Sequence, residues 1–230
     1  MAPVERPLVL GELLAETARF YGERFWAALG VGSVVAAAFV VGVLVPEAVG
    51  VAVLVLVITV VYGATARLVA GDTFGEAWAQ VAVRLPVLLV LGLAVTVPFA
   101  LAARYLILLF VAAAWLGLVG FSIPVAMLER ESEPAGWFWR IGYALRRSLT
   151  LARAEYLHAF GVAAALMLVY VLVGTLLTGA LIGFAENGAI AALALVQAVL
   201  APFFFIGLSV LYFDQKARAV SSRRTDDRRR

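Results

Sequence analysis

Residues 25–69 read FWAALGVGSVVAAAFVVGVLVPEAVGVAVLVLVITVVYGATARLV, and only Glu47 and Arg67 in that stretch are charged. Pro46-Glu47 is a turn signal that splits the stretch into two apolar runs, 25–45 and 48–69. About 20 apolar residues in a helix cross roughly 30 Å of hydrocarbon, so each run predicts one membrane span and the two together a tight hairpin. The chain repeats this pattern. Further runs at 85–103 and 105–128 meet at Arg104, and runs at 157–184 and 188–212 meet at Glu186-Asn187-Gly188. The prediction is an all-α, polytopic integral membrane bundle of six spans in three hairpins, one transmembrane domain over residues 1–213. Residues 214–230 are predicted to form a basic, disordered cytoplasmic tail.

Composition agrees. The chain is 64% hydrophobic and 14% charged, too few charges to clothe a soluble fold of 230 residues. Lipid removes that problem, because a spanning helix satisfies its own backbone. With no cysteine and one histidine, thiolate or multi-histidine metal sites and disulfides are excluded, and no cofactor is expected. Residues 1–24 are charged and amphipathic, so the first apolar run is expected to act as an uncleaved anchor.

Charge gives the orientation. Seventeen of the eighteen Lys and Arg residues fall on one predicted side. Arg6, Arg19 and Arg24 precede the first span, Arg67 and Arg84 lie between the second and third, and Arg130, Arg140, Arg146, Arg147 and Arg153 between the fourth and fifth. Seven more lie between Lys216 and Arg230, and the other side has Arg104 alone. The positive-inside rule then places both termini in the cytoplasm.

Each hairpin is preceded by an amphipathic stretch. In the first, Leu10, Leu14, Ala18, Tyr21 and Phe25 share a face opposite Glu12, Glu16, Arg19 and Glu23. In the second, Phe74, Trp78, Val81 and Leu85 oppose Glu76 and Gln80, and Thr73 and Glu76 have capping-box spacing. In the third, Trp137, Ile141, Ala144, Leu145, Ser148 and Leu149 oppose Arg140, Arg146, Arg147 and Arg153. Such helices either lie in the headgroup plane or pack on the span ends. Leu10-Gly11-Glu12-Leu13-Leu14-Ala15-Glu16 parallels Phe74-Gly75-Glu76-Ala77-Trp78-Ala79-Gln80. The hairpins open alike at Leu29-Gly30-Val31, Leu91-Gly92-Leu93 and Phe160-Gly161-Val162. The unit is one amphipathic helix plus two spans, used three times.

Leu8-Val9-Leu10-Gly11-Glu12-Leu13-Leu14 resembles the L-S-L-G-E-I-L opening of a broad prokaryotic family related to the membrane domain of glycerophosphoryl diester phosphodiesterases. Further landmarks look like Phe74-Gly75-Glu76-Ala77-Trp78, and Pro124-Val125-Ala126-Met127-Leu128-Glu129 followed by Ala144-Leu145-Arg146-Arg147-Ser148 and Leu151-Ala152-Arg153. The last is similar to Ala201-Pro202-Phe203-Phe204 running into Leu211-Tyr212-Phe213-Asp214. The resemblance covers nearly the whole chain and departs at Ala135-Gly136-Trp137-Phe138-Trp139, which is longer than the family's link. It implies a six-span protein of a prokaryotic plasma membrane. It implies no hydrolase activity, because the phosphodiesterase domain is a separate soluble barrel needing several histidines, and this chain has only His158.

The spans hold few polar groups. Gln197 is the most polar residue well inside one, a candidate intramembrane site or an interhelical hydrogen-bond partner. Thr96, Ser122, Tyr170 and Ser209 are expected to bond locally. Ser33 and His158 are the one pair a serine hydrolase could use, but Gly32-Ser33-Val34 lacks the context of a nucleophile turn. Asp72 is read as helping to start the second amphipathic helix. Pro98, Pro124 and Pro202 predict kinks. Gly179 and Gly183 have the spacing that lets helices approach closely.

The basic clusters point to lipid. Arg140, Arg146, Arg147 and Arg153 are the candidate anionic-lipid contacts, each contributing about 1 kcal/mol near an anionic surface. Nucleic acid is not an expected partner, since no reading module is present. The leading expectation is a non-enzymatic membrane component that engages anionic lipid or a membrane-protein partner through its basic rim, around a dry centre packed with small residues. The alternative is a transporter or channel for a small or lipidic solute, with a polar cavity near Gln197.

Overall fold

The computed structural model describes residues 6–102, 108–129, 136–182 and 188–227. Among them are nine helices: α1 (Leu10–Glu23), α2 (Phe25–Leu44), α3 (Glu47–Ala70), α4 (Phe74–Ala102), α5 (Leu108–Val119), α6 (Ser122–Leu128), α7 (Trp137–Ala152), α8 (Tyr156–Ile182) and α9 (Gly188–Asp227). Six stretches are long and apolar enough to cross a membrane: α2, α3, most of α4, α5 with α6, α8, and α9. The molecule is an all-α, multi-pass bundle. The expected turns at Arg104 and Glu186-Asn187 lie outside the described residues, as does Gly183.

Local chemistry accounts for the boundaries. The Val9 N–H donates to Glu12 Oε2 at 3.1 Å, capping the start of α1. Together with the Arg6 guanidinium, that bond holds the Glu12 carboxyl below its usual range. Gly71 ends α3 with φ 113°, a left-handed position that suits glycine. Thr73 and Glu76 do form a capping box: the Thr73 N–H donates to Glu76 Oε2 at 2.9 Å, and the Glu76 N–H to Thr73 Oγ1 at 3.4 Å. The second amphipathic stretch runs without a break into its span, so α4 is one helix where the first and third units have two.

The fourth span is broken at Gly120-Phe121. Pro124 sits in the first turn of α6, where a missing N–H costs nothing within that helix, but it leaves the Gly120 carbonyl without an i+4 donor. So Pro124 starts a new helix rather than kinking a continuous one. The Leu118 carbonyl, at the break, accepts from Ser148 Oγ of α7 at 2.6 Å. At the other end of α6, Arg67 Nη1 donates to the Met127 carbonyl at 3.3 Å, and Arg84 Nη1 donates to the Ala126 carbonyl. Two arginines thus cap the negative end of a short helix.

Helix α9 is the spine of the bundle; α1, α2, α3, α7 and α8 all pack on it. It does not stop at the expected tail. Asp214 and Gln215 are fully buried, and the helix continues to Asp227. The reading of 214–230 as disordered is corrected over 214–227: the N-terminal segment and α8 supply partners that local composition does not reveal.

The first and third amphipathic helices pack on the bundle through stripes shifted from those read in the sequence. In α1 the buried residues are Leu13, Thr17 and Phe20, and Leu14 and Tyr21 are partly buried against the core, while Leu10, Ala18 and, at the start of α2, Phe25 are exposed. In α7 they are Ala144, Ser148, Leu151 and Ala152, while Trp137 and Leu149 are exposed. One apolar face meets protein and a neighbouring one is left outward.

Candidate functional site

A partly open cavity of about 510 Å³ lies between α2, α3, α4, α5, α6, α8 and α9. Its walls are almost wholly apolar, with Phe39, Ile58, Leu116, Met167, Phe204 and Leu208 among them. The expected packing of the centre by small residues is therefore corrected. Glycines do bring helices together, as at Gly42 and Gly50 between α2 and α3. Around the cavity, long leucine, phenylalanine and tyrosine side chains hold the helices apart.

Gln197 lines this cavity together with Tyr170, Tyr62 and Thr96. The Tyr170 hydroxyl donates to Gln197 Oε1, joining α8 to α9, so Gln197 makes the interhelical bond that its position allowed. Thr96 returns its hydroxyl to the Gly92 carbonyl at 2.7 Å. Tyr62 stacks on Phe205, ring centroids 5.4 Å apart, and its buried hydroxyl has no partner among the described residues. No charged side chain lines the cavity among the described residues.

The four candidate lipid-contacting arginines on or beside α7 separate into two groups. Arg140, Arg146 and Arg153 are exposed. Arg147 turns inward, its Nε 3.1 Å from Glu129 Oε2. Glu129 also accepts from the hydroxyls of Tyr143 at 2.9 Å and Tyr212 at 3.1 Å, so a nearly buried carboxylate ties α6 to α7 and α9. Trp137, Phe138 and Trp139, which open α7 just before Arg140, are exposed as well. This aromatic run thus forms part of the outer surface of α7.

A second polar cluster binds the chain's beginning to its end. The Leu8 N–H donates to Asp214 Oδ1 at 2.6 Å, and Arg218 donates to the Leu8 carbonyl. Asp214 Oδ2 lies 2.8 Å from Arg218 Nε and 3.1 Å from His158 Nε2. Arg218 also pairs with Glu155. His158 is engaged in this clamp, whereas the Ser33 hydroxyl donates to the Leu29 carbonyl of its own helix at 2.8 Å. The structure does not bring Ser33 and His158 into one hydrogen-bonded pair. Asp72 is bonded through its side chain to Arg67 Nε at 2.6 Å and through its carbonyl to Arg24 Nη1 at 2.7 Å, which fixes the turn before α4.

Sequence reasoning found Gln197 and Tyr170 but missed Tyr62, Asp214, Arg218 and Glu129 as structural centres. A buried acid within a polar run at the end of the last span was the available signal for Asp214. Comparison with family models, curated proteins and solved structures finds no match to this chain, so the reading of its site rests on the geometry above.

Proposed function

We propose that this chain is a non-enzymatic integral membrane protein that takes an apolar lipid chain into the space between its helices. The cavity beside Gln197 carries the reading. Its volume, about 510 Å³, is within the range of about 300–1,000 Å³ usual for small-molecule sites. At roughly 24 cal/mol per Å³, leaving it empty would forfeit on the order of 10 kcal/mol. Lipid surrounds the bundle, matches the apolar walls and is the natural filler. In place of the polar cavity that the transporter expectation required stands an apolar one, which suits a lipidic solute better than an ion.

A second reading is favoured by α7. Its exposed arginines and aromatic residues suit an anionic headgroup layer, with Trp at the interface and each basic residue contributing about 1 kcal/mol. By the positive-inside argument that layer is the cytoplasmic leaflet, and the family resemblance implies that the membrane is a prokaryotic plasma membrane. The two readings use different parts of the bundle and are compatible.

One experiment addresses both. The full chain is extracted with its native lipid by polymer and analysed by mass spectrometry beside Ala201→Phe and Val35→Phe, which fill the cavity from α9 and α2. An apolar species near one per chain is expected in the wild type and missing from both variants. Anionic phospholipid enrichment is expected in all three. Identical apolar profiles in the three proteins, matching the bulk bilayer, would sink the cavity reading; absent anionic enrichment would sink the other.

A further inference from the structure

Among the described residues that line the cavity, the Tyr62 hydroxyl is unpartnered but fully buried, so the unspent polar atom that a ligand can reach is on Gln197. Thr96 and Tyr170 spend their hydroxyl hydrogens within the protein, the first on Gly92 and the second on Gln197. The Gln197 amide accepts that bond through Oε1, and its nitrogen makes no hydrogen bond among the described residues. Amide orientation is assigned from hydrogen bonding, and the flipped amide would leave the oxygen free instead. In both cases one polar atom of Gln197 is unspent.

Position and charge narrow what could meet it. Gln197 stands about 14 Å along α9 from Gly188, at 1.5 Å per residue. In a hydrocarbon core roughly 30 Å thick that is near the middle. A headgroup anchored at the bilayer surface does not reach so deep. An ionised group brought there would be desolvated with no counter-charge among the lining residues, which is far more costly than burying an uncharged oxygen.

We propose that the cavity selects an uncharged lipid, an apolar chain bearing a hydroxyl or carbonyl oxygen that is held at Gln197. A hydroxyl meets either orientation of the amide, donating to Oε1 or accepting from Nε2. Phosphate-bearing lipid is left to the exposed arginines of α7. This inference rests on the lipid-binding reading above and deepens it by naming the ligand class.

The test uses the full chain in detergent and three photoreactive probes on one saturated chain, ending in a primary alcohol, a methyl group or a phosphate monoester. Wild type is compared with the double variant Tyr170→Phe/Gln197→Leu, which replaces both bonding partners by apolar groups of similar shape and so orphans no further hydroxyl beside that of Tyr62. Ala201→Phe and Val35→Phe serve as blocked cavities, with gel filtration checking that each variant is folded. The wild type should label with the alcohol about fivefold more than with the methyl probe, the worth of one modest hydrogen bond, and least with the phosphate. The double variant should keep methyl labelling and lose the alcohol preference. Phosphate labelling equal to or above the alcohol, or a preference that survives in the double variant, overturns the inference while lipid binding stands. Labelling by every probe that neither blocked variant reduces overturns lipid binding itself.

Discussion

Gly32 sets how closely α2 can approach α9. A Cβ added there would stand 1.9 Å from the Ala198 carbonyl oxygen and 3.0 Å from Pro202 Cδ. That carbonyl is the one Pro202 leaves without its i+4 donor, so a missing side chain and a missing N–H meet at one crossing. The approach gives the carbonyl Cα–H neighbours in place of its helical partner, a weak contact that recurs at helix interfaces. Gly92 plays the same part on α4, where a Cβ would fall 1.8 Å from the Thr59 hydroxyl oxygen. Gly179 does not: a Cβ there would meet nothing within 4 Å, and the spacing that singled it out in the sequence reflects no close approach at that residue. Gly32→Ala should therefore force α2 and α9 apart and destabilise the fold by about 1–3 kcal/mol. Gly179→Ala should be neutral or gain up to about 1 kcal/mol of helix propensity. Denaturant titration in mixed micelles compares the two; equal losses at both positions would refute the assignment of the crossing to Gly32.

Among the elements, the polar C-terminal extension of α9 is the one that departs most from the sequence reading. Its polar composition looks like a solvated tail, and its partner Leu8 lies 206 residues away in the chain. No local pattern could reveal that pairing. Four of the six spans, in contrast, were legible to within a few residues, because length and apolarity are local properties; the third begins earlier, at Phe74, and the sixth runs on to Ser222. Gln197 was legible as a bonding partner for the same reason, but the cavity beside it was not, since a volume depends on how seven helices meet. The α1 stripe was misread in part because Leu10 and Ala18 are apolar like the buried Leu13 and Phe20, and only packing on α9 separates them; Leu14 and Tyr21 do pack on the core. The clamp gives this element a measurable role. Asp214 is fully buried between the Leu8 N–H, Arg218 and His158. Removing one member of a buried charged cluster leaves the others uncompensated, at about 3–5 kcal/mol. Asp214→Ala should release α1 from α9 and speed amide exchange in residues 8–23, while exchange in α3 and α4 changes little. Unchanged protection of α1 would show that apolar packing alone holds it.

On the scale of the whole molecule, the basic residues at one end serve two purposes that the sequence could not separate. Arg67 and Arg84 cap α6, Arg24 fixes the turn before α4, and Arg147 and Arg218 neutralise buried acids. Arg140, Arg146 and Arg153 remain exposed. The positive-inside rule counts Lys and Arg near span ends whatever they later bond, so the capping arginines weigh on orientation as much as the exposed ones. The end that carries α1, α7 and both chain ends should then face the cytoplasm. The chain has no cysteine, so single substitutions report orientation without background. Ala48→Cys, exposed beside the turn between α2 and α3, should react with a membrane-impermeant maleimide on intact cells. Gly136→Cys, exposed at the start of α7, should react only after the cells are permeabilised. The opposite pattern would invert the bundle and place the α7 arginines against the outer leaflet. Reaction at both sites in intact cells would instead break the hairpin count, because α3, α4 and the α5–α6 pair separate these positions by an odd number of crossings.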